Sequence, residues 1–386
     1  PFTNIAPMNK IYFDYAATSP ADSEVVKAMQ PYFFEKFGNA SSPHAIGQAA
    51  QKAVEESREV TARFIGAHAD EIVFNSGGTE GANHAIFGAA RALKSQGNHM
   101  IVSHLEHHCV LEPIQQLREE GFAISFLNAD PWGLVDPAEV KKLITPQTIL
   151  IAVMHANNEI GVIQPIADIG KIAKKHKIAF LVDAVQTVGH IPLNVNELNA
   201  DLLTLSSHKF YGPPGVGSLY IRRGTVIDRF LFGGDQEKNR RASTHNLPGI
   251  VGLAKALDLC QKNMKEESSV QSAFRDRLFH EIPRLIDGVK LNGHLTNRLP
   301  NNIHVSFEGI SGEALLVSLD MAGFAASQGS ACTSGEIEPS HVLKAIGLSD
   351  DLAYGSLRLS LGRWTKGEEV EKLLGVLPGI VKNLRR

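Results

Sequence analysis

Seven short β-rich runs, separated by helix-patterned stretches between residues 70 and 222, constrain the fold of this chain more than any other feature. They are "EIVF" (71–74), "HMIVS" (99–103), "FAISFL" (122–127), "TILIAVMH" (148–155), "IAFLVD" (178–183), "LLTLS" (202–206) and "GVGSLYI" (215–221). Strands that alternate with helices pair through crossovers, so the pattern predicts an α/β fold with a mainly parallel seven-stranded sheet covered by helices. In "QPIADIGKIAKKHK", Ile166, Ile169, Ile172 and Ala173 recur at helical spacing, which makes this stretch one such crossover. Functional side chains are then expected beyond the carboxyl ends of the strands.

A chain of 386 residues is too long for one compact core, and its pattern changes near residue 264. From there a helix ("SSVQSAFRDRLFHEIPRLI"), a strand ("NIHVSFEG"), a helix ("GEALLVSLDMAG"), a strand ("SLRLSL") and a last helix ("EEVEKLLGVLPGIVKNL") read as a smaller α+β unit. We expect a large domain over 1–263 and a small C-terminal domain over 264–386. The N-terminal helical patterns at 21–36 and 45–66 are free to pack on either.

Against 38 Lys and Arg stand 41 Asp and Glu, a formal charge of −3. That balance gives no electrostatic footprint for nucleic acid or an anionic membrane, and no apolar run reaches the roughly 18 residues a membrane span needs. Neither partner is expected. The three cysteines, Cys109, Cys260 and Cys332, form no disulfide framework and no CxxC pair, which favours a reducing, cytoplasmic setting. Cys109 and Cys260 have larger apolar neighbours, such as Val110 and Leu259, and read as structural. Cys332, in "QGSACTSGE", has only small and polar company, which leaves its thiol accessible.

Five further stretches carry candidate chemistry. In "SSHKFYGPPGVG" (206–217), Lys209 follows a strand and precedes a stiff turn; a partly desolvated lysine there loses its proton readily enough to form a Schiff base. "FLVDAVQTVG" ends an apolar strand at Asp183, with Gln186 three residues on. Its carboxylate either caps the next helix or meets a cationic partner such as a pyridinium nitrogen. "NSGGTEGANHAIFGAA" leads from strand to helix through Gly77, Gly78 and Thr79. It is either a phosphate seat or a plain threonine cap, and it matches neither GxxxxGK[ST] nor GxGxxG. "MHANNEIGVIQP" offers Asn157 and Asn158 for a ring hydroxyl or a carboxylate, against the commoner role of turn formers. "SLRLSLGRW" offers Arg358 and Arg363 as carboxylate clamps.

"SHLEHHCV" places His104, His107, His108 and Cys109 within six positions, yet no second ligand pair and no HExxH accompanies them. No metal is expected. One histidine stacked on a planar ligand is a better use of the loop, beside the alternative of structural histidines.

Together and in this order, from "IYFDYAAT" at 11 to "LGRWT" at 365, these motifs resemble the cysteine desulfurases of the NifS/IscS type, within the fold-type I pyridoxal-phosphate enzymes related to class V aminotransferases. The resemblance implies that Lys209 carries pyridoxal 5'-phosphate, with Asp183 on the ring nitrogen, Gln186 and Asn158 on the ring oxygen and His107 stacked on the ring. It puts the phosphate on Gly78, Thr79, Ser206 and His208, with Thr244 reaching the phosphate of a neighbouring subunit in a homodimer. Arg358, helped by Asn157, would clamp the carboxylate of L-cysteine. Cys332, on a longer, mobile loop of the kind one branch of the family has, would take the sulfur as a persulfide and pass it to an acceptor protein. Two alternatives stay open: a related pyridoxal-phosphate enzyme, such as an aminotransferase or selenocysteine lyase, and a non-catalytic sulfur-relay scaffold. One departure is plain: the family usually reads Arg-x-Gly-Thr where this chain has Arg241-Ala242-Ser243-Thr244.

Overall fold

The computed structural model describes residues 10–329 and 339–385. Its main sheet has seven strands in the spatial order Ile72–Asn75, Gly217–Ile221, Leu202–Ser206, Ala179–Asp183, Thr148–Ala152, His99–Ser103 and Ala123–Leu127. All run parallel except Gly217–Ile221, which is antiparallel to both neighbours. Successive side chains leave a strand on opposite faces. Ile101, Ile151, Val182 and Leu203 accordingly fill the core on one side, and Val102, Ala152, Leu181 and Leu202 the core on the other. Burial on both faces is why the strands read as unbroken apolar runs.

One face is covered by the helices Gly78–Ala92 and His108–Glu119, through Ala82, Ile86, Val110 and Ile114. The other is covered by Ala45–Ile65, the crossover helix Ile166–His176 and the start of Leu247–Leu285. The helical pattern at 21–36 is realised only as Ser23–Met29, followed by the 3-10 turn Gln30–Phe33. Pro31 is the reason: without an N–H it cannot continue the α-helical ladder.

A second core gathers around the antiparallel strands Ser356–Ser360, Asn302–Phe307 and Val289–Leu291 with the helices Gly312–Met321 and Gly367–Leu384. The helix Leu247–Leu285 passes straight through residue 264, where the sequence pattern placed a division. Its Leu253, Leu257 and Cys260 belong to the first core, its Leu278 and Ile282 to the second. The N-terminal segment joins both cores: Ile11–Tyr12 pairs with Phe324–Ala325, Phe13 enters the second core and Tyr15 the first. No helix among the described residues is long and apolar enough to cross a membrane.

Candidate active site

Beyond the carboxyl ends of the parallel strands lies a pocket lined by Gly78, Thr79, His107, Cys109, Met154, Ala156, Asn158, Asp183, Val185, Gln186, Ser206, His208 and Lys209. Each comes from a strand end, the loop just after it or the first turn of the helix that follows, as the crossover topology requires. Nine residues that the sequence offers for the cofactor meet here: Gly78, Thr79, His107, Asn158, Asp183, Gln186, Ser206, His208 and Lys209.

Lys209 sits in the 3-10 turn Ser207–Lys209, directly after the strand Leu202–Ser206. Its Nζ donates to the carbonyls of Ala16 (2.6 Å) and Ala17 (2.7 Å) and forms no ion pair among the described residues. Burial, helped by the nearby Arg358 charge, pulls its amine down to about 8, although Asp14 and Asp183 act the other way. An amine so poised is a competent nucleophile near neutral pH. The N-terminal segment supplies more of this wall: Ala16 also accepts from Gln186 Nε2 (3.0 Å), and Thr18 Oγ1 lies 3.0 Å from His208 Nδ1.

Asp183 ends its strand 5 % exposed. Oδ1 accepts from the Val185 amide at 2.9 Å, and Oδ2 has only the Cys109 thiol, at 3.9 Å. Burial raises this carboxyl to about 6, against the Val185 amide and the Lys209 charge. A buried carboxylate this poorly partnered fits a positively charged ring nitrogen.

The start of the helix Gly78–Ala92 is open to an anion. Gly77, at its N-cap, has φ +150° and no side chain caps the first turn, which leaves those amides for an anion. A Cβ at Gly78 would lie 2.8 Å from Val185 Cγ2, so this approach needs glycine. Ser206 stands beside this turn, since a Cβ at Gly78 would lie 3.7 Å from Ser206 Cβ, and His208 lines the same pocket. His107 caps the next helix, its Nδ1 accepting from the Cys109 amide at 3.1 Å, so any ring proton sits on Nε2. Desolvation, with Lys209 near, holds His107 down to about 4, and its ring is neutral at pH 7. An uncapped helix start, an unpaired buried carboxylate, a neutral histidine ring and a depressed lysine suit the phosphate, nitrogen, face and aldehyde of pyridoxal phosphate respectively.

Three other sequence candidates lie elsewhere. Asn157 is a correction: it is fully buried, its Nδ2 donates to Leu105 O, and its Oδ1 accepts the amides of Glu159 and Ile160. It shapes the turn, has no capacity left for substrate and does not line the pocket, whereas its neighbour Asn158 does. Arg358 is also outside the lining. Its guanidinium holds Asp14 Oδ1 (2.8 Å) and the carbonyls of Asn158 and Gly329, leaving Nε alone without a partner. Thr244 is exposed and away from the pocket of its own chain, next to Ser243 at φ +95°. Cys332 lies outside the described residues.

Sequence reasoning missed Cys109, taken there as structural, and missed the carbonyls of Ala16 and Ala17. Among the described residues, no group of three or more His, Cys, Asp or Glu is placed to hold a metal.

A parallel sheet with its lysine, carboxylate and uncapped helix start arranged in this way defines a pyridoxal-phosphate enzyme of fold type I. The model of the class-V aminotransferase family, "Aminotransferase class-V", matches residues 11–373. A curated relative from Dictyoglomus turgidum, named cysteine desulfurase IscS, is 51 % identical over 97 % of this chain and 95 % of its own length. Another of that name, from Methanosarcina thermophila, is 49 % identical over 99 % and 95 %. Among solved structures, a NifS-like protein superposes with a TM-score of 0.92 at 35 % identity, covering 97 % of this chain and all of the other. A structure titled SspA in complex with cysteine gives 0.82 at 35 % identity, over 92 % and 99 %. The chain belongs to the class-V aminotransferase family of pyridoxal-phosphate enzymes and, within it, to the cysteine desulfurases.

Proposed function

We propose that this chain takes sulfur from L-cysteine, releases L-alanine and carries the sulfur as a persulfide on Cys332 for delivery to an acceptor protein. The observation that carries the reading is Lys209, a half-buried amine held by two carbonyls in the pocket that a poorly partnered carboxylate also lines. Bound pyridoxal phosphate supplies the electron sink that no amino-acid side chain provides. Gly78, Thr79, Ser206 and His208 would bind its phosphate, Asp183 its ring nitrogen, Gln186 and Asn158 its ring oxygen, and His107 its face. Lys209, near pH 8, is basic enough to take the Cα proton of bound cysteine and acidic enough to return one to the product. Arg358 Nε is the donor left for the substrate carboxylate. Cys332 is assigned as the sulfur acceptor on the sequence alone, since a transaminase has no use for a thiol among such small residues.

The exposure of Thr244 suits a contact with the phosphate of a second subunit, which makes a homodimer the working unit. Residues 1–263 would then form the cofactor domain and 264–386 the domain that carries Cys332. A cytoplasmic setting and an acceptor in iron–sulfur cluster assembly or thiolation complete the reading. Incubation of the purified protein with L-cysteine tests it. Alanine should form, and Cys332→Ala should keep the visible cofactor band while alanine formation is lost. Undiminished alanine from that variant refutes the role of Cys332; a wild-type protein without the band favours a scaffold.

A further inference from the structure

Cys109 lies in the first turn of the helix His108–Glu119 and lines the pocket, where Sγ is 3.9 Å from Oδ2 of Asp183. The other oxygen, Oδ1, is taken by a backbone amide. Among the described residues, Cys109 is therefore the only side chain that hydrogen-bonds Asp183. Glu106, from the loop just before, is 1 % exposed; its Oε1 accepts the Met154 amide and its Oε2 has no partner. The thiol thus faces two carboxyls. Burial, with the charges of Asp183 and Glu106 behind it, pushes this thiol well up. Cys109 stays an S–H donor at neutral pH and is unsuited to nucleophilic attack.

The same turn also sets His107, whose Nδ1 accepts the Cys109 amide. Ring and thiol are therefore fixed by one piece of backbone. The charged or titratable groups that face Asp183 are Lys209 from the turn after Ser206, Glu106 from the loop and Cys109 from the helix. Of these, only Cys109 donates a hydrogen bond to the carboxylate.

We propose that Cys109 is a positioning residue for the cofactor: its S–H holds the Asp183 carboxylate in the orientation that meets the ring nitrogen of pyridoxal phosphate. An alanine here would leave Oδ2 with no side-chain donor, whereas a serine hydroxyl keeps one. The inference rests on the cofactor site proposed above, and the test separates the two. It uses the purified holoprotein, Cys109→Ala, Cys109→Ser and Asp183→Asn, with two readouts.

The first is the S–H stretching band of Cys109, isolated as the infrared difference between wild type and Cys109→Ala. It should lie below the position of a free thiol and move up in Asp183→Asn. The second is the rate of cofactor release, followed by the visible band. Cys109→Ala should release it about 3- to 10-fold faster than wild type, and Cys109→Ser should stay close to wild type. A band at the free-thiol position, a band that Asp183→Asn leaves in place, or an alanine variant that releases cofactor as wild type does overturns the inference. A wild-type protein with no visible band overturns the cofactor reading instead.

Discussion

Two buried carboxylates in this molecule behave oppositely. At the first, Glu237 receives Arg58 through two hydrogen bonds (2.7 and 2.8 Å), the Phe74 amide (2.9 Å) and His245 Nε2 (2.7 Å). Burial would raise its carboxyl, but Arg58 and His245 outweigh that and hold it at about 2. At the second, Asp183 has one amide and a distant thiol, and burial prevails, raising it to about 6. Lys209 has two carbonyls and no carboxylate in contact. A buried charge with every lone pair occupied holds the fold together; one left half-partnered is ready for a ligand. The first site also secures strained backbone, since Glu237, Lys238 and Asn239 all have positive φ.

The sharpest way to break this comparison is to remove one partner at each site. Arg58→Ala leaves Glu237 buried without its guanidinium partner and should lower stability by about 3–5 kcal/mol, read as denaturant midpoint, while any folded protein keeps its cofactor band. Asp183→Asn should do the reverse, lowering alanine formation by about 10²-fold without loss of stability.

The pH dependence carries the same contrast with opposite signs. Glu237 titrates lower in the folded protein than its usual 4.5, so its stabilisation is complete above that pH and is lost as pH falls towards about 2. Asp183 titrates higher than its usual 3.8, so the folded protein binds the extra proton and stability drops as pH rises from there through about 6. Melting temperatures of cofactor-free protein should show that decline, and Asp183→Asn should abolish it. A decline of equal size in the variant would remove Asp183 as its cause.

The smallest expected effect concerns Ser243, held at φ +95° where glycine is at ease. Ser243→Gly should gain about 1 kcal/mol, measurable by denaturant unfolding, with no change in the visible spectrum of the monomer's own pocket.

Most of the sheet was legible because its strands are buried on both faces and carry unbroken apolar runs. Asp183 and Lys209 were legible for a related reason: each ends or follows such a run with a charged residue type that an apolar core excludes, while Gly78 stood out in a glycine pair between strand and helix. What escaped had no such signature. Cys109 neighbours the fully buried Val110, yet consecutive helical residues face different ways, and only Cys109 meets the pocket. Asn157 and Asn158 are identical in type, and the turn alone decides that one props the backbone and the other lines the site. The carbonyls of Ala16 and Ala17 act through the backbone, which every residue has, so no side-chain pattern marks them. The helix Leu247–Leu285 crosses residue 264 unbroken while its two ends join different cores.

The central claim is that Lys209, and no other of the chain's lysines, bonds the cofactor. Borohydride treatment of the purified protein followed by peptide mass spectrometry tests this directly. The account predicts a pyridoxyl-phosphate adduct on the peptide that contains Lys209, absent from Lys209→Ala; an adduct on a different lysine, or none on a protein that makes alanine from cysteine, would contradict it.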